Sequence, residues 1–226
     1  RVVGLKDCEP DVVEHLPLLL QKAKHILIKA SPLLDIKQTL IDLPFITTVH
    51  VVAVENECKE LLFKIEQGES LSKGFFIKTI NFKNDGSRQV FDFQWKEEAT
   101  MAVSLSDPQR YVYEPNVAIL KAGAFKTIAK TFQLMKIASH SHLYTSENLK
   151  SDFPGRIFEV QAIVKADSKA LAPYLPDGKA NLTVRNFPTT TDELRKKLKL
   201  KDGGDVYLLA TTLSNGDKRL LVCKKI

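Results

Sequence analysis

A chain of 226 residues, 44% of them hydrophobic, carries enough apolar mass for one large or two smaller cores and is expected to be globular. No uncharged apolar run reaches the roughly 18 residues that span a bilayer, and RVVGLKDCEPD lacks the basic, apolar, small-residue order of a secretory leader, so a soluble cytoplasmic protein with no membrane partner is expected. The formal charge of +6 is uneven: residues 1–107 hold 13 Lys and Arg against 16 Asp and Glu, residues 108–226 hold 20 against 11, and the halves carry −3 and +9.

In chain order, DVVEHLPLLLQKAK (residues 11–24) places Val12, Val13, Leu16, Leu19, Leu20 and Ala23 at helical spacing behind Asp11 as N-cap. His25 to Ala30 is a short apolar strand that stops at Ser31-Pro32. A second helix from about Asp35 to Leu43 is closed by Pro44, and TTVHVVAV follows as a strand rich in β-branched residues. Helix, strand, helix, strand predicts a parallel sheet covered by helices. The rhythm then changes. Val49 to Glu55 and Cys58 to Ile65 flank a tight turn at Asn56-Glu57, while FFIKTINF and QVFDFQW flank Lys83-Asn84-Asp85-Gly86-Ser87. Phe91, Phe93 and Trp95 alternate as the buried face of one strand. Residues 1–106 therefore read as an α/β unit whose parallel half-sheet ends in antiparallel strands.

Residues 107–152 open on YVYEP and then space Val117, Ile119, Leu120, Ala124, Ile128 and Phe132 as a helical connecting segment, closed by the turn signal Phe153-Pro154-Gly155-Arg156. Beyond it, RIFEVQAIVKA reads as strand, DSKALAPYL as a short helix and KANLTVRNF as strand. TTDELRKKLKL is a helix capped by Thr190 or Thr191, and DVYLLATTL and KRLLVCKK form a hairpin around Asn215-Gly216-Asp217. Residues 153–226 are thus a compact α+β unit, βαβαββ.

Cys8, Cys58 and Cys223 are odd in number, far apart and without Cys-x-x-Cys or Cys/His spacing, so reduced thiols are expected rather than a disulfide framework or zinc site. His140 and His142 have no third ligand near them in sequence, and no metal is expected. Tyr111 and Tyr113 either stack on bases or anchor their segment against a sheet.

Several short stretches in a fixed order carry a resemblance: Asp7-Cys8-Glu9-Pro10-Asp11, Ile28-Lys29-Ala30-Ser31-Pro32-Leu33-Leu34-Asp35, Asn56-Glu57-Cys58-Lys59-Glu60-Leu61, Tyr113-Glu114-Pro115-Asn116 with Lys121-Ala122-Gly123, His142-Leu143-Tyr144-Thr145, Phe153-Pro154-Gly155-Arg156 and Arg185-Asn186-Phe187-Pro188. Over essentially its whole length the chain resembles the C-terminal part of class I methyltransferase-like proteins that end in a THUMP-like domain. The resemblance implies a Rossmann-like catalytic domain upstream and S-adenosylmethionine as methyl donor in the parent protein. An RNA substrate, tRNA or rRNA, is implied by analogy with RNA-modifying enzymes. The chain departs from the family where the cofactor is held: it has no G-x-G, its only adjacent glycines being Gly203-Gly204. It therefore reads as a fragment that begins just after the fourth strand, with the missing N-terminal catalytic half as its partner. No catalytic residue is assigned, and the fragment alone is expected to bind no cofactor and to be inactive.

Ligands of open α/β sheets lie outside the carboxyl ends of the strands, which makes Lys29, Ser31, Pro32 and Asp35 substrate-side candidates. The plainer reading is a strand-to-helix turn capped by Ser31 or Asp35, with Lys29 extended to the surface. RNA-binding candidates are Lys121, Arg156, Arg185 and the run Arg195, Lys196, Lys197 and Lys199. Arg185 alternatively holds a strand-to-loop turn, and the lysine run is alternatively a solvated helix face over Leu194 and Leu198. Two functions stand. Either the chain is the C-terminal half of a methyltransferase whose basic module presents RNA, or it is a non-catalytic interaction or oligomerisation module on a methyltransferase-like scaffold.

Overall fold

The computed structural model describes residues 4–67 and 74–226. The chain forms two compact units, one of Arg1–Met101 with Asn116–Thr127, the other of Ala102–Pro115 with Ile128–Ile226.

In the first unit, α1 (Val12–Lys22) starts where expected, with the Asp11 carboxylate accepting the N–H groups of Val13 and Glu14 at 2.9 and 3.2 Å. The elements that follow are β1 (His25–Ala30), α2 (Ile36–Asp42), β2 (Ile46–Val54), β3 (Glu57–Glu66), β4 (Phe76–Phe82) and β5 (Arg88–Gln94). They form one five-stranded sheet in the order β1-β3-β2-β4-β5. The expected side-by-side parallel strands are not neighbours: β1 and β2 run the same way, and β3 lies between them, antiparallel to both. The cause is local. Glu55 and Asn56 both take positive φ, 49° and 60°, a two-residue turn that matches strand twist and folds β3 straight back onto β2. The turn sits one residue earlier than expected. The parallel pair among the described residues of this sheet is β2 with β4, and β5 returns antiparallel on β4.

Alternation gives the core. Val49, Val51 and Ala53 of β2 and Leu61, Phe63 and Ile65 of β3 are fully buried, and Phe91 and Phe93 of β5 point inward as their spacing predicts. Trp95 breaks that pattern by opening α3 (Trp95–Thr100), because the Lys96-Glu97-Glu98-Ala99 run favours helix over strand. The unit is completed by α4 (Val117–Ala122), whose N–H groups at Ala118 and Ile119 are capped by Asn116 at 3.1 and 3.2 Å. Its buried Ala118, Ile119 and Ala122 lie over β2, β3 and β4, and Gly123 ends it at φ 76°. The chain then runs through α5 (Thr127–Thr131) into the second unit.

That unit holds β6 (Tyr111–Pro115), β7 (Met135–Lys136), β8 (Tyr144–Ser146), β9 (Gly155–Lys165), α6 (Ser168–Leu171) continued by a 3-10 turn, β10 (Asn181–Val184), α7 (Thr191–Leu198), β11 (Val206–Thr212) and β12 (Lys218–Lys225). The expected βαβαββ succession is present from β9 to β12. It does not stand alone, because one seven-stranded sheet runs β10-β11-β12-β9-β6-β8-β7. Residues 107–152, expected as a helical connection, supply three of those strands as well as α4 and α5. The physical reason is burial: all five residues of β6 are enclosed, and an element buried on both faces reads as neither strand nor helix from periodicity alone.

Two apolar cores flank this sheet. One gathers Leu182, Leu208, Ala210, Leu220 and Val222 beneath Leu194 and Leu198 of α7. The other gathers Val112, Ile137, Leu143, Phe158, Leu209, Leu221 and Cys223.

Candidate nucleic-acid interface

The substrate-side candidates gather at the turn from β1 to α2, and the turn uses most of them. Ser31 Oγ accepts the N–H of Leu33 at 3.2 Å, and the Asp35 carboxylate caps α2 through the N–H of Gln38 at 3.0 Å. Lys29 Nζ stands 2.8 Å from Glu60 on the adjacent strand, an exposed pair, and Pro32 is half-buried within the turn. Lys121, expected on an RNA surface, joins this group instead. From α4 its ammonium donates to the carbonyl of Leu34 at 2.8 Å. Cys58 also feels it: burial pushes that thiol up, and the Lys121 charge pulls weakly the other way.

Arg156 and Arg185 are brought together by a residue whose role the sequence did not show. Glu114, on β6, is 3% exposed. Arg156, opposite it on β9, donates from Nε to Glu114 Oε2 at 2.6 Å, and its Nη2 makes the ion pair with the same oxygen and reaches Thr183 Oγ1 at 3.2 Å. Arg185 Nη2 lies 2.8 Å from Glu114 Oε1, while its Nη1 donates to the carbonyl of Val184 at 3.0 Å. Arg185 follows β10, which lies four places from β6 in the sheet order, so the sheet curls and this carboxylate ties its distant strands together. The side chains of Arg156 and Arg185 remain 33% and 39% exposed, which leaves one uncompensated positive charge at the surface. A signal was available in Glu114 itself, a charged residue inside the otherwise apolar and aromatic run YVYEP.

The basic run divides by helix face. Arg195 is half-buried and paired with Asp202 at 2.9 Å. Lys196 and Lys197 of α7, and Lys199 at its C-cap, are exposed, while Leu194 and Leu198 point into the core. Thr190 is the cap and forms a reciprocal box with Glu193, whose carboxyl the Thr190 N–H and hydroxyl hold below its ordinary range. These three ammonium groups lie at one end of α7 and make no ion pair among the described residues.

The aromatic and histidine candidates serve packing. Tyr113 is fully buried, with its hydroxyl near Ser146 Oγ at 3.0 Å, and Tyr111 is 9% exposed. His140 is exposed; His142 is held below its ordinary range by burial and by the charges of Lys136 and Arg185, so it is neutral near pH 7. Burial pushes the Cys223 thiol up to about 12, an inert sulfhydryl. Among the described residues no three His, Cys, Asp or Glu side chains gather as metal ligands, and no helix is long and apolar enough to cross a membrane.

A polar network also went unforeseen. Asn81 Oδ1 accepts the N–H of Asn56, Asn56 Oδ1 accepts that of Val117, both at 2.9 Å, and Gln89 Oε1 accepts from Asn81 and Asn116 at 3.1 and 3.2 Å. It binds the β2–β3 turn to the start of α4.

Residues 111–154 match the model of a ferredoxin-like domain, and residues 155–225 match a THUMP domain-like model. No curated protein matches the chain at a significant level. The crystal structure of a provisionally assigned methyltransferase from Porphyromonas gingivalis W83 is similar over 100% of this chain and 57% of its own, with 38% identity and a TM-score of 0.92. The chain thus spans a little over half the length of that protein.

Proposed function

We propose that the chain is the C-terminal part of a class I methyltransferase that acts on RNA, with the basic surface of the THUMP-like half holding the substrate. The observation that carries this reading is the likeness, at 38% identity over the entire chain, to a longer protein assigned as a methyltransferase. The order β1-β3-β2 supports it, because an antiparallel strand slotted between two that run the same way is how that fold ends. So does the outer edge of β1, which is unpaired among the described residues and carries Leu27 at 63% exposure, an apolar side chain that a continuing sheet with its covering helix would bury.

S-adenosylmethionine is the donor this reading implies, and the residues present do not fit it. Ser31 and Asp35 are spent on turn and cap, and the ammonium of Lys121 beside them would repel a sulfonium. The cofactor is therefore assigned to the parent protein's upstream part, the missing half and expected partner of this chain. Calorimetric titration of this chain with millimolar S-adenosylmethionine is expected to give no saturable heat, and a clear isotherm would move the cofactor site into these residues.

RNA binding is tested on Lys196, Lys197 and Lys199. If about four phosphates are engaged, the log–log salt slope for single-stranded contacts is near −3, and losing these three lysines flattens it by roughly 2. Fluorescence anisotropy on a structured RNA such as tRNA, at low salt, compares the wild-type chain with the variant K196E/K197E/K199E. Equal affinity and slope would make this face merely solvated. No binding by the wild type would favour an interaction or oligomerisation module on a methyltransferase-like scaffold.

A further inference from the structure

A cavity of about 590 Å³ opens in the first unit between α2, α3 and the loop after α4. Its size falls within the roughly 300–1,000 Å³ of small-ligand sites. The walls are mostly apolar. Leu40 and Ile41 line one side, and Phe75 and Trp95 another, their rings stacked with centroids 5.6 Å apart and planes 28° from parallel. Ile41 is 72% exposed, an aliphatic surface with nothing over it among the described residues.

Three charged side chains line the same cavity, and they are not equivalent. The carboxylate of Glu98 accepts the N–H groups of Phe125, Lys126 and Thr127 and the hydroxyl of Thr127, at 2.8–3.1 Å. It pins the loop as a wall and has little capacity left for a ligand. Lys37 and Lys126 make no ion pair among the described residues, and Lys37 Nζ stands 5.9 Å from the centroid of the Trp95 ring, at the outer limit of a cation–π contact. A flat aromatic platform beside two unneutralised ammonium groups fits a flat ligand that carries an anion.

We propose that this cavity takes one nucleotide, its base laid against the Trp95–Phe75 pair and its phosphate held by Lys37 and Lys126. Stacking on an aromatic ring tolerates any base, and lysine meets phosphate as a mobile point charge, so Lys37 leaves the ring for the phosphate as the base arrives. The inference rests on the RNA reading for the source of the nucleotide, a strand rather than a free pool.

Trp95 is the chain's single tryptophan, so its fluorescence reports this cavity alone. The chain is titrated with adenosine monophosphate, with adenosine and with an oligoadenylate of six residues. Saturable quenching by the monophosphate and the oligomer is expected, with adenosine at least about tenfold weaker. Quenching by the oligomer alone assigns the site to a strand, and quenching by the monophosphate alone to a free nucleotide; both sustain the site. The variant K37A/K126A, shown by circular dichroism to melt like wild type, is expected to lose about tenfold in affinity for the phosphorylated probes and nothing for adenosine. No quenching by any probe, or equal affinities in the variant, overturns the inference. RNA binding by anisotropy without Trp95 quenching overturns it too, and leaves the RNA reading standing.

Discussion

Glu114 shows how one carboxylate organises charge around it. With it removed, the Arg156 and Arg185 guanidiniums face each other without an anion, and Glu114→Gln is expected to cost about 2–4 kcal/mol, less than a fully buried pair because both arginines reach water. A urea midpoint equal to wild type would show that the tie is dispensable. Next to it, a Cβ on Gly155 would meet Glu114 O at 2.1 Å and Phe153 Cε1 at 2.7 Å, so Gly155→Ala is expected to destabilise by about 3 kcal/mol, read from the same curves. Two histidines set a pH response. His50 and His142 are both held below the ordinary imidazole range, chiefly by burial, so well above pH 6.5 both are neutral in the folded and the unfolded chain alike. As pH falls below 6.5 the unfolded chain takes up protons that the folded one refuses, and stability drops. The urea midpoint is expected to decline between pH 7 and 5, less steeply in H50Q/H142Q; parallel profiles would assign the decline to other groups. What was legible at this scale was local chemistry. Asp11, Asp35 and Thr190 could be read as caps because their partners lie within three residues, whereas Glu114 could not, because its partners are distant in sequence.

Among the elements, α7 carries two claims that can be separated. Its C-cap, Lys199, sits at φ 55°, in the left-handed region where glycine costs least, so Lys199→Gly is expected to stabilise the second unit by about 0.5–1 kcal/mol. The same change removes one exposed charge, and if the proposed RNA surface includes Lys199 it flattens the salt slope of binding by about 0.7. Higher thermal stability with an unaltered slope would mean that Lys199 touches no phosphate. Elements with a clean period, such as α1, α7, β9 and the β11–β12 hairpin, were legible from spacing. The slot of β3 between β1 and β2, and β6 as a sheet strand, were not, since strand neighbours are chosen by contacts far apart in sequence and β6 shows no alternation.

Across the whole molecule the chain visits each unit twice, because Asn116–Thr127 belongs with the first unit and Ala102–Pro115 with the second. A protein ended after Ser106 lacks α4, and with it Ile119, whose burial contributes about 1.5–3 kcal/mol on its own, besides the Asn116 cap. Such a truncated chain is expected to bind a hydrophobic dye and melt without a cooperative transition, and a sharp melt would show that α4 is not needed. The charge asymmetry was legible as a count, but only folding showed which lysines are spent: Lys121 on a carbonyl and Lys29 on Glu60, whereas Lys196, Lys197 and Lys199 are exposed and make no ion pair among the described residues. Where the ferredoxin-like match gives way to the THUMP-like one, Gly155 opens β9 directly opposite Pro115 of β6. Exchanging either region for another would require a residue without a Cβ at that position and a strand to lie against it, so the join tolerates replacement only as a matched pair.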